Sequence, residues 1–301
     1  VHFIMICRAA PASAPGLILD RLKRGEVGVF MAVRNEKGVG RVLDSLEAQE
    51  VRPRAVVVVD DGSTDGTGAF LDSAKGRFSF DLEVVHRPPH PGSYVGKPEL
   101  ARVLNSGLEV LSRRTPPPDF VMKLDGDHAL PPDYLGRVLA KMAADSRLAV
   151  ASGCISGERH AERSPRGSGM VVRADFWRDA NGMRFPLEYG WESWLYLKAQ
   201  ASGYETRSFP DIVSAISRPT ALSKGVLYGR AMYALGYYWP YAVGRCLVFL
   251  PRSPWSALQM LRGYIDHRGV SRLDVAPWVK GSQRRSLLKR GTRVVARLGA
   301  R

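Results

Sequence analysis

Two pairs of carboxylates stand where apolar runs of this chain end. Asp60 and Asp61 close the run 55–59, and Asp125-Gly126-Asp127 follows the run 120–124. Carboxylates one residue apart at the end of a strand offer hard anionic oxygens of the kind that hold Mg²⁺ or Mn²⁺ and share it with a diphosphate. An isolated Asp-Gly pair is also an ordinary turn. What raises the weight of these two is their shared position, because the carboxyl-terminal edge of an open α/β sheet is where ligands bind.

The elements that must position them can be read from periodicity. The run 27–33 reads as a buried strand, and Val39, Val42, Leu43 and Leu46 then follow helical spacing. Strand-like runs at 55–59, 82–85 and 120–124 alternate with helical patterns starting near Thr67, at Leu100–Leu111 and at Leu135–Met142. Such alternation predicts a mainly parallel sheet with helices on both faces. Residues 148–155 read as a further strand, 156–169 as a polar Gly/Arg-rich loop, 170–172 as a strand leading into a short helix, and 191–202 as a helix carrying Trp191, Trp194 and Leu195. Beyond Arg218 the alternation stops. Helical, basic and aromatic segments are expected at about 222–239, 241–250, 254–267 and 280–299.

Residues 27–67, VGVFMAVRNEKGVGRVLDSLEAQEVRPRAVVVVDDGSTDGT, resemble the opening of the inverting glycosyltransferase family 2. VMKLDGDHALPPDYL (121–135) is similar to the family's DxD segment, and GSGMVVRADFWRDANG (167–182) to the acceptor-side strand and helix that precede its catalytic base. The resemblance spans about 27–218 and implies a GT-A α/β fold, a nucleotide-sugar donor and a divalent metal, Mg²⁺ or Mn²⁺. Carried over residue by residue, it implies that Asp61 meets the nucleobase, with Ala32, Arg34 and Glu36 lining the base and ribose pocket. Asp127 would be the main metal ligand, and Asp125 would contact ribose or metal. Lys97, Arg102 and Asn105 match a stretch that faces the nucleotide in relatives or, alternatively, form a solvated helix face.

The sequence departs from the family pattern in two places. Where relatives carry Glu-Asp at the start of a helix, eleven residues before a Gly-aromatic pair, this chain has Trp191-Glu192 ahead of Gly203-Tyr204. A longer carboxylate can still take a proton from an acceptor hydroxyl, so Glu192 is the expected base and Glu188 the next candidate. A Glu in the first turn of a helix is also a common structural choice. The second departure is that 211–220, DIVSAISRPT, lacks the His that many relatives add as a metal ligand. His128, beside the DxD segment, is expected to point away from it. Arg218 is the candidate for neutralising the leaving diphosphate.

The 301 residues carry a formal charge of +15, with 45% apolar and 24% charged residues. Residues 218–301 hold 16 Lys/Arg against only Asp266 and Asp274, while 1–217 hold 28 basic and 27 acidic residues. The positive surface is therefore separable from a near-neutral body. Three cysteines with no metal spacing point to a reducing compartment. The longest uncharged stretch of the C-terminal third, 231–244, is too short to span a bilayer. Tyr233, Tyr237, Tyr238, Trp239, Tyr241, Trp255 and Tyr264 are residue types that settle at lipid headgroups. The last stretch, 280–301, has eight basic residues and no acid among sparse apolar ones, which suits an anionic leaflet. No nucleic-acid-binding motif accompanies the charge.

The expected layout is a flexible lead-in (1–24), a GT-A catalytic domain (25–218, with a donor half to about 130 and an acceptor half from 131) and a helical membrane-associating region (219–301). It would sit on the cytoplasmic face of the membrane, peripheral or monotopic, and glycosylate a lipid-linked or cell-envelope glycan. The alternatives are a polyprenyl-phosphate sugar synthase and a non-catalytic membrane-bound nucleotide binder. A sugar-phosphate nucleotidyltransferase would need a Gly-rich triphosphate loop that VRNEKGVG does not provide.

Overall fold

A computed structural model describes residues 27–158, 161–216, 225–251 and 253–299, with side chains to Leu288. The lead-in 1–24 and Arg218 fall outside the described residues.

Seven strands form one sheet in the order β3-β2-β1-β4-β6-β5-β7. They are β1 (Val27–Val33), β2 (Ala55–Asp60), β3 (Asp81–His86), β4 (Phe120–Lys123), β5 (Leu148–Ile155), β6 (Met170–Arg173) and β7 (Glu205–Ser214). β1 pairs in parallel with β2 and β4, and β2 with β3; β6 runs antiparallel between β4 and β5. The unbroken apolar runs of β1 and β2 follow from burial on both faces. One face is covered by α1 (Val39–Glu47), α2 (Thr67–Ala74) and α4 (Tyr134–Ala144). The other is covered by α3 (Pro98–Ser112), α5 (Ala174–Asn181) and α6 (Trp191–Ala201), around Phe30, Trp177 and Phe185.

Sequence reading misses β7. Its inward positions include Thr206, Ser208 and Ser214, all buried, so the strand carries no apolar alternation to detect. It pairs in parallel with β5 at the sheet edge, where Pro210 is tolerated.

The C-terminal region forms α7 (Gly225–Ala234), α8 (Trp239–Phe249), α9 (Pro254–Ile265) and α10 (Ala276–Gly299). α7 ends earlier than expected because the chain turns at Gly236, whose φ is 78° and whose missing Cβ would fall 2.4 Å from that of Ala276. α7 and α9 cross closely. A Cβ at Gly229 would stand 2.1 Å from the Met260 carbonyl oxygen, and one at Gly263 at the same distance from that of Val226. Much of the aromatic set expected at headgroups faces inward instead. Tyr233 stacks on His267 with ring centres 3.7 Å apart, and the Tyr264 hydroxyl donates to the Tyr237 carbonyl at 2.7 Å. Tyr238 and Tyr241 are half-buried, which leaves Trp239 and Trp255 as the exposed members.

Candidate active site

The sheet brings the two acidic motifs to one edge. β1, β2 and β4 are mutually parallel, so the segments after Val33, Asp60 and Lys123 emerge side by side. β6 runs the other way, and Met170 pairs with Lys123. The residues preceding β6 therefore lie beside those following β4. Ser168 makes the junction: its hydroxyl accepts from the Asp125 amide at 2.9 Å and lies 2.7 Å from His128 Nδ1.

Asp61 sits buried at the end of β2, its amide donating to the Val33 carbonyl at 2.9 Å. One carboxylate oxygen lies 3.0 Å from His90 Nε2. The other is buried 3.2 Å from Arg87 Nε without a hydrogen bond to it. A buried oxygen left in this state is costly and suits a donor arriving on a ligand. Gly62, with φ at 71°, has no room for a Cβ: the Pro88 carbonyl oxygen would be 2.6 Å away, and the segment carrying Arg87 and His90 closes over the motif. Arg34 reaches across to that segment and donates to the carbonyls of His90 and Gly92. Ala32 is half-buried. Glu36 folds back on its own turn and accepts from the Gly38 amide at 3.0 Å.

The second cluster forms around a lysine. Lys123, fully enclosed in β4, places Nζ 2.7 Å from Asp125 Oδ1 and 2.9 Å from Glu192 Oε1. Burial opposes its charge, but Asp125 and Glu192 outweigh burial and hold the ammonium above its ordinary range. Desolvation would raise the carboxyl of Asp125, yet Lys123 holds it below the usual value. Burial first, and the charge of Asp125 second, push Asp127 up. Glu192 lies in the first turn of α6, which begins after Gly190 in a left-handed conformation. Its carboxyl occupies the space a side chain at residue 167 would need, 2.2 Å from a Cβ there. That contact is why the loop before β6 carries glycine at this point.

Among the described residues, no three His, Cys, Asp or Glu side chains converge as a metal set. The chemistry of the pair Asp125–Asp127 nevertheless fits a hard cation, whose charge would relieve the repulsion that raises Asp127. Its remaining ligands would be water and diphosphate, as is usual for Mg²⁺. His128 is fully buried with both ring nitrogens engaged, Nε2 lying 2.8 Å from the Ser214 hydroxyl, and burial lowers its pKa to about 4.

Other candidates have different positions. Glu188 accepts from the Tyr189 and Ser271 amides at 2.8 and 2.7 Å, so its carboxylate ties the loop before α6 to the C-terminal region. Asn105 is a correction to the nucleotide-facing expectation, since its amide is paired twice with the backbone of Phe185 at 2.9 and 2.8 Å. Lys97 precedes α3 and its carbonyl accepts from the Trp191 indole at 3.2 Å, while Arg102 is exposed on α3.

The sequence model of Glycosyl transferase family 2 matches residues 28–190, more than half of the chain, from β1 to β6. The chain belongs to this family. No curated protein sequence matches it significantly. Among solved structures it is similar to the mannosyltransferase PcManGT from Pyrobaculum calidifontis in complex with GDP-Man and Mn²⁺, at 19% identity and a TM-score of 0.56, covering 94% of this chain and 88% of that one. It is also similar to glucosyl-3-phosphoglycerate synthase from Mycobacterium tuberculosis in complex with Mn²⁺, UDP and glucosyl-3-phosphoglycerate, at 17% identity and a TM-score of 0.51, covering 75% and 84%. These likenesses establish the GT-A fold of this family 2 member.

Three residues at the site go unassigned in sequence reading. Lys123 leaves a signal, a lone charge inside a strand otherwise apolar from Phe120 to Leu124. Arg87 and His90 leave none, because they lie between elements and reach Asp61 only through the fold.

Proposed function

We propose that this family 2 protein transfers a sugar from a nucleoside diphosphate sugar to a hydroxyl of a lipid-linked or cell-envelope glycan, with inversion at the anomeric carbon. The observation that carries this reading is the convergence on Lys123 of Asp125 and Glu192, which sets a candidate base beside the acidic pair. Glu192 accepts the acceptor's proton as its oxygen attacks the anomeric carbon, and the carbon–oxygen bond to the diphosphate breaks on the opposite face. Asp61 takes the nucleobase edge on its unfilled buried oxygen, with Arg34 and Ala32 beside it. Asp127 with Asp125 would hold Mg²⁺ or Mn²⁺, which would supply charge for the departing diphosphate. Crystals of similar structures hold Mn²⁺ with GDP-Man or UDP, which supports the same ligand classes here.

A membrane surface is the proposed place of action. Among the described residues, no helix is long and apolar enough to cross a membrane. α8, the residue Leu250 that follows it, and α9 expose Trp239, Leu247, Val248, Leu250, Trp255 and Leu258, within the basic C-terminal third of the chain. Exposed apolar side chains in a strongly basic region of the chain suit the interface of an anionic leaflet.

Transfer assays with UDP-, GDP- and dTDP-sugars test the reading. Metal-dependent release of nucleoside diphosphate, lost in Asp127→Asn while that variant stays folded, is expected. Absence of both thermal stabilisation and turnover with every donor refutes it.

A further inference from the structure

A concave site lies beside α6, the helix that carries Glu192. It is a cleft of about 480 Å³, walled on one side by the loop between β5 and β6 and by α6, and on the other by α8 and α10. That volume suits a ligand of one or two sugar rings. Arg163, Arg166 and Arg245 line it against a single carboxylate, Glu158, and Tyr196, Tyr241 and Trp278 supply flat apolar walls. Glu158 is committed to Arg166, 3.1 Å from Nε, and Arg163 lies 3.4 Å from Glu205 at the periphery. Arg245 has no carboxylate within 4.0 Å among the described residues. Three guanidiniums against two carboxylates leave the cleft one positive charge in excess, that of Arg245, a side chain of the kind that binds phosphate through two parallel N–H groups.

Its rim adjoins the candidate base. Arg166 and Ser193 line the cleft, and the residues beside them, Gly167 and Glu192, are in contact. Tyr228 stands at the same junction. Burial pushes its hydroxyl up, and the charges of Glu192, Arg166, Arg245 and Glu158 all reach it. Glu192 thus touches Lys123 of the acidic cluster and also adjoins Arg166 and Ser193 of the basic cleft.

We propose that the basic cleft is the acceptor site and takes a phosphate-bearing acceptor, with the phosphate on Arg163 and Arg245, the sugar or chain against Tyr241 and Trp278, and the nucleophilic oxygen delivered to Glu192. This rests on the glycosyltransferase reading above and specifies its substrate. It also gives the appendage a direct part in recognition, since Arg245, Tyr241 and Trp278 all belong to it.

The test uses the full-length protein and glucose 6-phosphate as probe, followed by ligand-observed NMR. Saturation transfer to glucose 6-phosphate, none to glucose, and no displacement by UDP or GDP are expected. The double variant Arg163→Gln/Arg245→Gln should weaken probe binding about tenfold or more, with nucleotide-induced thermal stabilisation unchanged. Farnesyl phosphate in neutral detergent micelles distinguishes the source of the phosphate: displacement of the probe marks a lipid phosphate, and failure to displace it marks a water-soluble phosphosugar. No saturation transfer, transfer undiminished in the double variant, or displacement by nucleotide would each overturn the proposal. The nucleotide stabilisation arm is read separately. Probe binding without any nucleotide stabilisation sinks the donor-site reading and leaves an anion cleft.

Discussion

Lys123 Nζ lies 2.9 Å from Glu192 Oε1, so the ammonium buried beneath the acidic motif also fixes the candidate base. The two carboxylates on Lys123 are half-exposed, whereas the lysine itself is enclosed. Removing one carboxylate leaves the other in place. Glu192→Gln is therefore expected to stay folded and to lose about 100-fold or more in kcat, the loss of a general base. The double variant Asp125→Asn/Glu192→Gln strands a buried charge and should cost about 3–5 kcal/mol of stability, measured by urea denaturation. If Glu192→Gln turns over near the wild-type rate, the acceptor is a group that needs no base, such as a lipid phosphate.

Asp61 presents one oxygen to His90 and leaves the other buried without a hydrogen bond. Asp61→Ala should weaken donor nucleotide binding by about 1–3 kcal/mol in calorimetry, since a buried base edge loses its partner. An unchanged Kd removes Asp61 from the pocket.

His86 bridges Asp72 and Asp60, 3.1 and 3.3 Å away. Asp72 raises its pKa most, burial opposes, and Asp60 adds to the rise. A folded-state pKa above the unfolded value of 6.5 makes the bridge a source of stability that is complete below that value and lost as pH rises through the folded one. The Tm deficit of His86→Gln should be widest below about pH 6 and narrow by about pH 9. A deficit that is flat with pH contradicts the bridge.

Two glycines in the C-terminal helices should respond with opposite signs. Gly229 in α7 leaves no space, the Met260 carbonyl oxygen being 2.1 Å from its absent Cβ, whereas Gly244 in α8 faces open space. Gly229→Ala should lower stability by about 1–3 kcal/mol through overpacking. Gly244→Ala should raise it by up to about 1 kcal/mol, the difference in helix propensity. Thermal melts of the two variants decide it.

The exposed apolar residues of α8 and α9 predict sedimentation with phosphatidylglycerol vesicles at low salt. Raising salt to 1 M, where the Debye length falls to about 3 Å, should erode the electrostatic part. Replacing Trp239, Trp255 and Leu258 together with Ser should weaken what remains. Protein that stays in the supernatant at low salt refutes the membrane reading.

The expected donor half was legible in the sequence because its strands are buried on both faces and its acidic motifs end apolar runs. β1 and β2 fall where the apolar runs lie. β7 was illegible for the opposite reason: most of its buried positions, Thr206, Ser208 and Ser214, are hydroxyls, satisfied by neighbours such as the Arg163 carbonyl, which accepts from Thr206 at 2.7 Å. Lys123 sat inside a recognised motif but looked like an ordinary charge until its two carboxylates were brought to it from residues 125 and 192. The inward turn of Tyr233 and Tyr264 depends on partners that composition does not show, namely His267 and the Tyr237 backbone.

Leu273, Val275 and Val279 belong to the same core as Trp177 and Phe185, and this changes what the compositional boundary near residue 218 means. The boundary marks a change in charge and aromatic content but is no seam of stability. A chain ended there would expose to water the apolar wall that those three residues cover, so the basic helices fold cooperatively with the sheet.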